Sequence, residues 1–319
     1  MWKKLSLLMV MALFVIIAAA CGSNDEKAET ISSEPKKESE EITIKHELDE
    51  TKVKKNPEKV IVFDFGTLDT LDQLGVEVMG LPKQNIPKYL SKYEDEKYEN
   101  VGSLKEPDFE KVNELGPDVI IISGRQAELY DQFAEIAPTV YLGVNPADYM
   151  NSFKKNVTTL GEIFGKEEEV KAEVSKVEEE ISKLNEQASK EKKTALVVLA
   201  NDGKVSAYGP GSRFGLIHDV FGVTPADKDI EVSQHGQSIS FEYIVEKDPD
   251  YLFVVDRGAV VSEGGGSSAQ QVIENDLVKN TKAYKNDNIV YLDPGYWYLS
   301  GGGLQSVSEM VKEIQEGLK

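Results

Sequence analysis

The chain has 319 residues and a formal net charge of −20, from 36 Lys and Arg against 56 Asp and Glu. That acidic balance argues against a nucleic-acid partner, and it means that an anionic ligand must be met by local basic groups. Cys21 is the only cysteine, so a disulfide framework is excluded.

In chain order, MWKKLSLLMVMALFVIIAAA has a basic start, an apolar run and small residues before Cys21. This is the pattern of a secretory signal over residues 1–20, and the run is short of the ~20 residues of a bilayer span. Cys21 stands where bacterial lipoproteins carry their lipidated cysteine, although Ala18 replaces the usual leucine, and acylation there is expected. Residues 21–41 contain one large apolar side chain after the cysteine, Ile31. Such a segment cannot bury enough apolar surface to offset its ordering entropy, so it reads as a disordered tether. The working part is therefore expected on the outer face of the cell membrane, held by lipid.

The remaining ~280 residues exceed the usual size of one core. Short apolar runs (KVIVFDFG, VIIISG, TVYLGV, then TALVVLAN, YLFVVD, NIVYLD) alternate with amphipathic stretches. That pattern predicts an α/β fold with two lobes, each a mainly parallel sheet with flanking helices. ITIKHELDETKVKKN reads as an edge hairpin. Between the groups, Asn145 can cap a helix, Pro146 suits its first position and Gly165 its end. Met150, Phe153, Val157, Leu160 and Phe164 form one stripe along a rod of roughly 28 Å. The predicted order is an N-terminal lobe over 42–145, a single long interlobe helix over 146–165 and a C-terminal lobe over 166–319.

One short stretch occurs twice. DFEKVNELGPDVIIISGR (108–125) matches SFEYIVEKDPDYLFVVDR (240–257) at a constant offset, 241 − 109 = 257 − 125 = 132. Each copy reads as a short helix, a Pro-Asp turn, a buried strand and an arginine. Ligands of open α/β sheets sit beyond the carboxyl ends of the strands, so Arg125 and Arg257 are expected on opposite walls of one cleft. SAYGPGSRFGLIHDVFG delivers Arg213 to a helix start, where free N–H groups favour an anion. Guanidinium forks suit oxygen-rich anions. In YLDPGYWYLSGGGLQS, Trp297 is the candidate for stacking on a flat ligand, with Tyr298 beside it, and Lys83 in GLPKQNIPKYL is a candidate fourth cation.

Catalytic motifs are missing their essential residues. GEIFGKEE lacks P-loop spacing and its Ser or Thr, KHELDE lacks a second histidine, and GPGSRFG is no nucleophile elbow. His46, His218 and His235 show no metal-ligand spacing. The chain is not expected to be an enzyme.

The stretches VFDFGTLDTLDQLG, VGSLKEPDFEKV, GSRFGLIHDVFG, HGQSISFEYI and WYLSGGGLQS resemble the iron-siderophore substrate-binding lipoproteins of Gram-positive ABC importers, most closely the petrobactin-type members of bacilli. The resemblance covers the chain from about Ile42 onward. It implies two lobes on a backbone helix and binding without chemistry or cofactor. The ligand would be an anionic ferric catecholate whose siderophore, not the protein, holds the iron. It also implies that Arg125, Arg213 and Arg257 face that ligand, and that Glu110 and Glu242 dock a monomeric receptor onto a permease dimer with its cytoplasmic ATPase. Receptors for a ferric hydroxamate, haem or cobalamin, and an extracellular α/β hydrolase, are the alternatives.

Overall fold

The computed structural model describes residues 40–233, 235–261 and 268–318. The expected signal, Cys21 and all but the last two residues of the expected tether lie outside them. The described chain enters through an antiparallel hairpin, β1 (Glu41–Lys45) and β2 (Glu50–Lys54). This hairpin is a sheet of its own and not the edge of a larger one. Ile44 and Val53 point into the first lobe, and the Thr51 hydroxyl donates to the Thr139 carbonyl (2.7 Å).

The first lobe continues with β3 (Val60–Val62), α1 (Phe65–Gln73), β4 (Gly80–Leu81), β5 (Glu99–Asn100), α2 (Phe109–Leu115), β6 (Val119–Ile122), α3 (Tyr130–Ala134) and β7 (Thr139–Tyr141). Its five strands are all parallel, in the order β5-β4-β3-β6-β7. Val60 and Val62 face one core, with Phe65 and Leu68, while Ile61 and Phe63 face the other, with Val112 and Phe133. A strand covered on both faces needs no polar alternation, which is why the sequence reads as unbroken apolar runs.

A 3₁₀ turn at Pro146–Asp148, capped by Asn145 accepting from the Ala147 N–H (3.0 Å), leads into α4 (Tyr149–Phe164). Gly165 ends it in the left-handed conformation (φ 62°), the boundary that the sequence predicts. The apolar stripe is shared between lobes. Phe153 and Val157 enter the core beneath the second sheet, and Leu160, Ile163 and Phe164 enter that of the first. Helix α5 (Glu167–Glu191) buries Val170, Val177, Ile181 and Leu184 along one face.

The second lobe follows as β8 (Thr194–Asn201), β9 (Lys204–Tyr208), α6 (Leu216–Asp219), β10 (Thr224–Pro225), β11 (Gln237–Ile239), α7 (Phe241–Lys247) and β12 (Tyr251–Asp256). Then come α8 (Gly258–Val261), α9 (Ala269–Ile273), α10 (Lys282–Lys285), β13 (Ile289–Leu292) and α11 (Leu304–Gly317). Its sheet has the order β11-β9-β8-β12-β13, with β10 beside β8, and β9 alone runs against the others.

The repeated stretch occupies equivalent places. β6 lies against β3, and β12 against β8, the first strand of each sheet. Asp118 accepts from the N–H groups of Glu58 (3.1 Å) and Lys59 (2.9 Å), just ahead of β3. Asp250 accepts from the N–H of Thr194 (2.9 Å), where β8 begins. In each copy the Pro-Asp turn thus fixes the register of the central strand pair. Both sheets belong to one compact unit, Ser39–Lys319. The last helix explains part of that unity, because α11 packs on α5 of the second lobe and also on α1 of the first.

Candidate binding site

Arg125 follows β6 directly. Its turn is braced from below: the Ser123 hydroxyl donates to Asp64 (2.9 Å), and buried Gln126 donates to the Leu104 carbonyl (2.6 Å). Arg257 follows β12, with its N–H on the Ala200 carbonyl (3.1 Å) and Nη1 on the Asn201 amide oxygen (2.6 Å) at the end of β8. Arg213 comes from the turn between β9 and α6. Parallel strands thus deliver two of these groups at their carboxyl ends, and a loop delivers the third.

All three converge on Tyr298. Its main-chain carbonyl accepts from Arg125 Nη2 (2.8 Å) and Arg213 Nη2 (2.6 Å), and its phenol oxygen accepts from Arg257 Nε (2.8 Å). The Arg213 guanidinium lies 4.2 Å from the centre of the Tyr298 ring, a cation–π contact. These are the only arginines in the chain. Every ion pair among the described residues is made by a lysine, so no carboxylate of those residues neutralises the cluster. In a chain with 56 acids, that is a site kept open to an anion.

The electrostatics agree. Burial and then the neighbouring Arg125 charge both push the Arg213 guanidinium below its ordinary range. Burial pushes the Tyr298 phenol up, but the Arg257 bond and the charges of all three arginines more than offset it and hold the group below its ordinary value.

Tyr298 belongs to a π-helical turn, Gly295–Leu299, and the pitch of that turn corrects the sequence reading. Gly295, Trp297 and Leu299 are buried, while Tyr296 and Tyr298 are only half-buried. Trp297 is 2% exposed, donates from Nε1 to Glu313 (2.6 Å) and meets the Phe214 ring edge-on at 6.4 Å. It is core and cannot stack on a ligand. Lys83 is also placed elsewhere: its ammonium donates to the carbonyls of Glu94 (3.2 Å) and Asp95 (2.7 Å), closing a 3₁₀ turn. The expected helix start at Arg213 is not an anion cradle either. Helix α6 is four residues long, and the nearby Gly211 N–H is taken by Asp219 (2.6 Å). The reading from sequence missed Asn201 and the Tyr298 carbonyl, and a main-chain acceptor carries no residue-type signal.

Glu110 and Glu242 are exposed at the second position of α2 and α7. Glu242 is held below the usual carboxylate range by its own N–H and by Ser240. A shallow groove lined by Met150, Ile181, Asn185 and Val220 contains none of the arginines. Among the described residues no group of His, Cys, Asp and Glu is arranged to hold a metal ion.

Two α/β lobes with an unpaired cationic cluster at the strand ends define a solute-binding protein, and the chain belongs to the periplasmic binding protein family, which it matches over residues 60–296. It is 56% identical to the petrobactin-binding protein YclQ of Bacillus subtilis, over 99% of each chain. The crystal structure of that protein superposes with a TM-score of 0.85 at 59% identity, covering 88% of this chain and 99% of the other. The periplasmic catecholate-siderophore binding protein VctP of Vibrio cholerae gives 0.83 at 36% identity, covering 87% and 100%. The relatives are binding proteins, not enzymes.

Proposed function

We propose that this chain binds a ferric catecholate-type siderophore, petrobactin or a similar anionic catecholate–citrate complex, at the Tyr298 cluster and delivers it to an ABC importer for iron uptake. The observation that carries this reading is the convergence of Arg125, Arg213 and Arg257 on one tyrosine with no carboxylate partner among the described residues. Similarity to a petrobactin-binding protein supports the ligand class. Guanidinium groups are permanently charged, and three of them around one ring repel each other until an anion arrives. A cationic or neutral hydroxamate complex would leave that repulsion uncompensated.

Signal cleavage and acylation at Cys21 would hold the receptor on the outer face of a Gram-positive cell membrane. Glu110 and Glu242, one on each lobe at matching positions, would meet the two halves of a permease dimer. Intrinsic fluorescence tests the ligand reading, because Trp297 is the tryptophan of the described residues and touches Phe214, the neighbour of Arg213. Ferric petrobactin should quench it at far lower concentration than cationic ferrioxamine. Equal affinities would overturn the anion-site reading.

A further inference from the structure

Helix α11 starts without a side-chain cap of its own. Gly303 occupies its N-cap position, and its first turn holds no acid. The cap comes from the first lobe. Asp69, on α1 and with no exposed surface, accepts from the N–H groups of Gln305 (2.8 Å) and Ser306 (2.7 Å). The adjacent Thr70 hydroxyl accepts from the Leu304 N–H (3.2 Å).

The same carboxylate reaches the start of the segment. The Tyr89 hydroxyl lies 2.9 Å from Asp69 and 2.6 Å from the Ser300 hydroxyl. The Ser300 hydroxyl also lies 2.7 Å from the Gly295 carbonyl, and the Ser306 hydroxyl donates to the Ser300 carbonyl (2.7 Å). The Leu304–Ser306 end of the segment is therefore fastened to α1 directly, and Ser300, which closes the turn that carries Tyr298, is tied to it through Tyr89. The fit is close: a Cβ on Gly303 would collide with the Asp69 carboxyl carbon.

Burying a carboxylate is costly, and a local Ser or Asp could cap a helix without that cost. What a local cap could not do is tie this segment to the lobe that supplies Arg125. We infer that Asp69 is a positioning residue for the binding site: by anchoring Gly295–Ser306 on α1, it sets where the Tyr298 carbonyl and phenol stand relative to the three arginines. The inference rests on the Tyr298 cluster being the ligand site, so its test needs a readout without ligand.

Asp69→Asn keeps the shape and removes one acceptor, and Tyr89→Phe removes only the hydroxyl, leaving its ring against Tyr296. Asp118→Asn is the control, since Asp118 also caps backbone amides of the first lobe but touches nothing in the segment. Three quantities are measured on each: melting temperature, affinity for ferric petrobactin, and the alkaline titration of the Tyr298 phenol by ultraviolet absorbance. Tyr298→Phe identifies that phenol as the one titrating low. Asp69→Asn and Tyr89→Phe should weaken binding about tenfold, the scale of one hydrogen bond to the ligand lost, and should move the phenol titration upward. Asp118→Asn should lower the melting temperature and leave the other two unchanged. If Asp69→Asn does not fold, Tyr89→Phe decides. Lower melting with parental affinity and titration would show that Asp69 is only a helix cap. A parent protein that ignores ferric petrobactin would sink the ligand reading, and the phenol titration would still decide the positioning.

Discussion

Arg213 is half-buried, pressed by the charge of Arg125 and stacked on Tyr298, so much of what it could gain from water is already gone. An anion restores that loss. Replacing Arg125, Arg213 or Arg257 by Ala should each weaken a ferric catecholate by about 1.5–3 kcal/mol, the range for a hydrogen bond to a charged group. Fluorescence titration measures it. Lys at the same positions should recover little, because a point charge cannot reproduce a planar fork. His218 makes a second prediction. It is buried, with Nδ1 2.8 Å from the Val223 carbonyl, and burial lowers its pKa from the ordinary 6.5. A base depressed in the folded state contributes stability that is present above pH 6.5 and is lost as pH falls through the folded value. His218→Gln should flatten the acid side of a plot of melting temperature against pH. Asp69 acts in the opposite direction. Burial raises it from 3.8 to about 6, so its contribution is full below 3.8 and is lost as pH rises through 6.

At the scale of elements, the end of α4 was legible because capping is local chemistry at Gly165, whereas Asn145 and Pro146 open a 3₁₀ turn and α4 itself starts only at Tyr149. How its stripe divides between two cores was not legible, since one apolar face looks alike whichever sheet covers it. The π turn shows the same limit. Neighbouring aromatics 296 to 298 differ only in which way the extra-wide turn rotates them, and that is fixed by Glu313 below and the arginines above. Close packing at the start of α11 yields the third prediction. Gly303→Ala would drive a methyl into Asp69 and the Gly66 carbonyl (2.5 Å). Overpacking of this kind costs about 1–3 kcal/mol, and a denaturant melt should show it.

Across the whole molecule the repeat gives each lobe one strand, one arginine after it and one glutamate before it. Both acids are exposed to solvent in the first turns of α2 and α7, where screening over a Debye length of ~8 Å weakens their field. Changing both Glu110 and Glu242 to Gln should therefore leave siderophore affinity within about twofold, while uptake by cells carrying the anchored protein falls strongly. Normal uptake would mark them as first-turn helix acids and nothing more. Composition, strand runs, the glycine that ends α4 and the 132-residue offset were enough to establish an α/β pair of lobes with Arg125 and Arg257 at matching strand ends. Local propensity and period carry that much because each is read within a few residues. Folding alone decided that a main-chain carbonyl receives two of the three arginines, that Trp297 turns inward, and that Asp69 of the first lobe caps the last helix. The carbonyl and the cap depend on groups 85 to 237 positions apart in the chain, and contacts at such range are set by how the two sheets pack, which no local pattern records.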